Sequence, residues 1–394
     1  MPFWFSSVGP TPSAFASDPG RFRLVGMPTV AFLLLATGCT DPVNSSSRGQ
    51  NALLNLQCSI PRGEIFDGGV PVDGIPALNN PTFVEVGDPD IRYLDETTQF
   101  LDPRVVGIQV DGHPYAIPHN ILWWHEVVNL DLADGTQLAV SYCPLTGSAL
   151  VFDREGIGGV EMGVSGLIFR NNLILFDRNA QRSLFPQMMH SARCGPADGL
   201  RLEMFPAIDM RWSRWRNLHP DTRVVSGDTG IDRDYTRYPY GNYEQSRELL
   251  FPQDVPGPDE EIRPMKERIL GIPSLGTPGA GGVAVPFGEL ELAEDQGVAA
   301  VYVESPQGKA LVLWDGAARG AMAFRSRTED DGPVELMAVD GRFLDRETGS
   351  EWTVDGRAVA GSLTGATLEA ISDSYVAFWF AWKAFHPDTE IWTF

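Results

Sequence analysis

The sequence predicts a mainly β protein, a β-rich α+β chain built from two tandem similar units related by a pseudo-twofold axis and carrying few, short helices. Two observations predict this. Short apolar runs such as "LAVSYC", "ALVF", "LIFR", "LILFD", "AVYV" and "ALVLW" are bounded by Gly, Pro and Asp, as strands closed by turns are. The chain also matches itself. "RVVGIQVDGHPYAIPHNIL" from Arg104 corresponds to "RILGIPSLGTPGAGGVAVPFGEL" from Arg268, and "LAVSYCPLTGSALVF" to "VAAVYVESPQGKALVLW". The match closes on "WSRWRNLHPDT" at 212–222 against "WFAWKAFHPDT" at 379–389.

These matches set the organisation. A first repeat spans 104–226 and a second 268–394, joined by a Tyr- and Pro-rich connector at 227–267 and preceded by an N-terminal extension at 62–103. Residues 1–39 read as a signal peptide: Arg21 and Arg23 precede an apolar stretch too short to span a bilayer, which ends in "LLATGC". That ending resembles a lipoprotein signal in which Cys39 becomes the lipidated first residue, although Ala36 stands where the pattern prefers Leu. The polar run "TDPVNSSSRGQ" opens a tether at 40–61. The expectation is an extracytoplasmic protein, periplasmic or outer-membrane-anchored, touching the membrane through its lipid alone.

Composition narrows the partners. A chain of 394 residues that is 43% hydrophobic buries a sizeable core. A net charge of -22 repels nucleic acid and anionic membrane surfaces, and no run of Lys and Arg offsets it, so no nucleic-acid partner is expected. A small-molecule or protein partner is left unnamed.

Features kept in both copies belong to the frame. In the Trp-x2-Trp-x3-His-Pro-Asp-Thr arrangement, Trp212 and Trp215 share one face of a short helix, as do Trp379 and Trp382, and Pro stops each helix. His219 and His386 are therefore expected to be structural. Features present once are the better functional candidates. "PHNILWWHEVVN" predicts a helix opened by Pro118, on which His125 and Asn129 lie one turn apart with Glu126 beside them; the second copy is expected to be too short there for the same helix. Cys143 ends a strand that places Leu138, Val140 and Tyr142 on one face and Ala139, Ser141 and Cys143 on the other.

Three chemistries suit these residues. Cys143 and His125 would bind copper or zinc, with Glu126 or His119 completing the shell. Alternatively, Cys143 is the nucleophile of a thiol-dependent enzyme, His125 its base, and Glu126 or Asn129 the orienting group. The third reading is a non-catalytic binding module using the groove between the repeats and the tyrosines at 235, 238, 240 and 243. Cys194 either joins this site near His190 or pairs with Cys58, and Asp228, Asp232 and Asp234 read as a solvated acidic turn rather than a calcium loop.

Together "GGVPVDGIPALNNPTFV", "LWWHEVVN", "AVSYCPLTGSALVFDR", "GVSGLIFRNNLILFDR", "RDYTRYPYGNYE", "MKERILGI" and "FWFAWKAFHPDTEIW" resemble a bacterial family catalogued as domain of unknown function 3179, over about 62–392. The resemblance implies an extracytoplasmic protein and carries no activity with it. Members commonly read Cys-Pro-Leu-Cys, whereas this chain has Thr146 at the fourth position, which removes the second thiol of a dithiol or two-sulfur site.

Overall fold

Glycine at a fixed place in two central strands shapes the architecture. The computed structural model describes residues 52–97, 102–253, 263–274, 281–330 and 332–394; the expected signal peptide, Cys39 and the first part of the tether lie outside them. Strand Arg104–Val110 pairs antiparallel with Ile208–Arg211 on one side and His113–Pro118 on the other, and the latter pairs parallel with Arg223–Val225. In the second matched segment, Arg268–Pro273 pairs in the same directions with Tyr375–Phe378 and Gly282–Pro286, and the latter with Glu390–Ile391. The strand order is the same, except that Phe83–Glu85 extends the first sheet.

Each sheet is roofed by its Trp helix, Trp212–Leu218 or Trp379–Phe385. A Cβ on Gly107 would stand 2.3 Å from Trp215 Cζ3, and one on Gly271 2.2 Å from Trp382 Cζ3. The indoles thus lie against bare backbone. Each indole N–H donates to a threonine hydroxyl, Trp215 to Thr222 at 2.9 Å and Trp382 to Thr389 at 2.8 Å. The histidine rings pack on the same indoles, at 4.2 Å for His219 and 3.8 Å for His386. The structural role expected of this motif is what the geometry displays.

Six sheets are found among the described residues, mainly antiparallel, with few short helices. Strand Gln137–Cys143 divides two cores as its alternation predicts. Leu138, Val140 and Tyr142 face a core that includes Trp215, Leu311 and Phe324, while Ala139 and Cys143 face one that includes Phe176, Trp379 and Trp382. Both cores draw on both matched segments, and all described residues fall within one compact unit.

The N-terminal extension adds strands to three sheets, through Ile65–Asp67, Leu78–Asn79 and Phe83–Glu85. The end of the expected tether is docked, since Leu53 and Ile60 are buried and Cys58 forms a disulfide with Cys194. Among the described residues, no helix is long and apolar enough to cross a membrane.

Overpacking a filled core costs about 1–3 kcal/mol, and Trp215 is tied in place by its bond to Thr222. Gly107→Ala and Gly271→Ala are each expected to destabilise by about 3 kcal/mol in urea unfolding, with unchanged m-value. An effect below about 0.5 kcal/mol would show that the indole is free to move.

Candidate functional site

The expected cluster begins on the helix His119–His125, which Pro118 caps from just outside rather than opening from within its first turn. The helix stops at His125 because Glu126 turns left-handed at φ 56°, its N–H closing on the Leu122 carbonyl. This corrects the expectation that His125 and Asn129 lie one helical turn apart. Asn129 sits on strand Val127–Asp131, where it donates to Asn79 Oδ1 at 2.8 Å and the Met162 carbonyl at 2.9 Å and accepts from the Met162 N–H. It ties strands together. The second segment does form a helix at the matching place, Phe287–Leu292, against expectation, because its apolar residues Phe287 and Leu290 still find a core to fill.

The helix grips the connector. Asn120 donates to the Tyr235 carbonyl at 2.8 Å, the Trp123 ring meets Tyr238 edge-on at 5.0 Å, and Trp124 Nε1 donates to the Arg237 carbonyl. His125 bridges the Pro76 carbonyl at Nδ1, 2.7 Å, and the Tyr235 hydroxyl at Nε2, 2.6 Å. Burial brings the ring's pKa down to about 4, so it stays neutral, and both nitrogens are engaged. The connector tyrosines are packing residues here, and Tyr235, Tyr238 and Tyr243 are buried.

Glu126 and Cys143 are neighbours in a closed interior. Burial raises the Glu126 carboxyl to about 7, against the bond it accepts from Tyr240 at 3.2 Å. Burial, then the Glu126 charge, pushes the Cys143 thiol up to about 11. The thiol faces the Asn171 carbonyl at 3.7 Å. Thr146, buried beside it, bonds Ser148 at 2.8 Å and accepts from Asn172. A nucleophilic or metal-binding thiol needs its thiolate, which this setting opposes.

His119 looks elsewhere. Its ring packs at a tilt against Tyr142, centroids 4.2 Å apart, and its Nε2 lies 3.2 Å from Asp209 Oδ1. His190 is buried against Tyr375 and Phe152, with burial lowering it to about 3, and Cys194 is taken by its disulfide. Asp228, Asp232 and Asp234 are solvent-exposed. Among the described residues no three His, Cys, Asp or Glu groups converge as a metal shell.

Open space is found instead between the two matched segments. A cleft of about 440 Å³ is lined by Gln109, Phe205, Ile208 and Trp215 from the first and by Met322, Phe324, Asp355, Arg357 and Leu368 from the second. Its polar wall is a closed network. Asp355 Oδ2 accepts from Gln109 at 2.7 Å and meets His219 Nε2 at 2.8 Å, its Oδ1 accepts from Thr353, and Arg357 donates to Gln109 Oε1 at 3.1 Å. Burial would raise Asp355, but His219, the Thr353 hydroxyl and the Arg357 charge hold it below the usual carboxylate range. "TVDGR" at 353–357 gave no signal in the sequence, because its partners His219 and Gln109 lie more than a hundred residues away.

Two outcomes follow from the closed interior. Cys143 should resist iodoacetamide at pH 7.5, holding on the order of a hundredfold less thiolate than free cysteine, until denaturant exposes it. Rapid alkylation of the native chain would contradict its burial. For Glu126, a folded pKa near 7 against about 4.5 unfolded means that stability is greatest below pH 4.5 and declines as pH rises to 7. Glu126→Gln should remove that loss, on the order of 3 kcal/mol at pH 8 and nothing at pH 4, as read by urea unfolding across pH.

No curated protein and no solved structure shows significant similarity to the chain. A family model described as a protein of unknown function, DUF3179, matches residues 72–389, which takes in the connector, the helix His119–His125 and both Trp helices. The chain therefore belongs to the DUF3179 family.

Proposed function

We propose that this DUF3179 protein is an extracytoplasmic, lipid-anchored binding module whose ligand occupies the cleft between its two matched segments. The cleft carries the proposal. Its volume falls within the ~300–1,000 Å³ of small-molecule sites, its floor is apolar, and its few polar groups are already fixed by one another. Gln109 and Asp355 hold each other across the cleft, so the site is formed before a ligand arrives and binding costs little ordering.

The ligand class follows from the walls. Phe205, Ile208, Met322, Phe324 and Leu368 suit a ring or short aliphatic body, while Arg357 offers N–H groups beyond the one given to Gln109. A small, ring-bearing molecule with an acceptor oxygen fits both. Export and anchoring are supported by the "LLATGC" ending at Cys39 and by the Cys58–Cys194 disulfide, a bond suited to an oxidising compartment.

Copper, zinc and thiol catalysis are less well supported, since His125 has both nitrogens engaged and the Cys143 thiol is held protonated.

The test is ligand-observed NMR of the chain against small aromatic alcohols, ketones and carboxylates, beside Ala370→Trp, which fills the cleft. Binding by the wild type that is lost in a folded Ala370→Trp variant is the expected result. Equal binding by the two proteins, or none by the wild type, would overturn the reading.

A further inference from the structure

Four arginines open onto a second, smaller cleft, although the chain as a whole carries a net charge of -22. Its volume is about 230 Å³, and its lining includes Arg104, Arg211, Arg268, Arg319 and His119. Arg104 and Arg268 begin the corresponding central strands of the two matched segments, and the sheet register places Arg211 directly opposite Arg104. Like charges directly opposite one another on a sheet are destabilising, so the arrangement needs a reason.

Three of the four are matched by acids. Arg104 Nε meets Asp209 Oδ1 at 2.8 Å, Arg268 Nη2 meets Glu244 Oε2 at 3.0 Å, and Arg319 pairs with Glu291. Asp102, also in the lining, accepts from the backbone N–H and hydroxyl of Ser213. Arg211 donates to the Ala317 carbonyl at 3.3 Å and, among the described residues, forms no ion pair. Burial lowers Arg104, and the charge of Arg268 lowers it further, against the pull of Asp209. The cleft therefore holds one guanidinium whose charge has no acid to meet it, beside two that repel each other.

We propose that this cleft binds a small oxyanion, a carboxylate or a phosphate, held by Arg211 with Arg104 and Arg319 beside it. Planar guanidinium forks match the two oxygens of such a group, and an anion there relieves the repulsion between Arg104 and Arg268. The volume admits a compact anion and excludes a nucleotide-sized one. This site is separate from the cleft between the segments and does not depend on the function proposed for it.

Isothermal titration of the chain with inorganic phosphate and with succinate, at low and at physiological salt, tests the proposal. Arg211 is partly exposed and paired only to a carbonyl, so Arg211→Gln is expected to fold with unchanged or higher melting temperature. The expected result is saturable binding of one anion per chain, weakened at least tenfold in Arg211→Gln and retained in Ala370→Trp. Tighter binding of succinate identifies a carboxylate ligand and tighter binding of phosphate a phosphorylated one. The proposal fails if neither anion saturates, or if Arg211→Gln binds as the wild type does.

Discussion

The structure depends on an indole lying flat against glycine. Trp215 on Gly107 and Trp382 on Gly271 bring each Trp helix so close to a central strand that no Cβ fits between them. The indole N–H then fixes the threonine that ends the motif, and the histidine between is pressed onto the same ring. Because His219 is held in this way, the loop at 353–357 has a fixed partner for Asp355, and the cleft between the segments has a rigid wall. A methyl group at Gly107 would disturb this chain of contacts at its first link.

The two segments also reach into each other. Asp355 of the second meets His219 of the first, and His190 of the first packs its ring on Tyr375, whose hydroxyl lies 3.3 Å from His386. One crossing is a carboxylate hydrogen-bonded to an imidazole, while the other brings together histidine rings that burial keeps neutral. That asymmetry explains why the cleft beside His219 carries a polar wall. Both cores contain residues of both segments.

Reasoning that features present once mark the functional site led to the helix His119–His125, and the structure supplies another physical reason for a feature to be present once. The connector is also present once, and Asn120, Trp123, Trp124 and His125 hold it. The converse held for the arginines. Arg104 and Arg268 are kept at corresponding positions and so read as frame, yet they line the basic cleft because the fold brings the starts of those strands together.

The sequence by itself determined the β-rich class, the strand faces around Cys143 and the structural character of the Trp-His-Pro-Asp-Thr motif. These rest on local periodicity and on repetition within the chain, both visible in one dimension. It pointed to Cys58 as one partner for Cys194, and the fold chose that pairing. Only the tertiary structure decided that the helix ends at His125, that Glu126 and Cys143 are sealed from solvent, and that Gln109, Asp355 and Arg357 form one wall. Where a helix ends was decided by the left-handed turn at Glu126, and the burial of a thiol and the pairing of a carboxylate with a histidine 136 residues away depend on which surfaces meet when the sheets pack. No local pattern encodes that meeting.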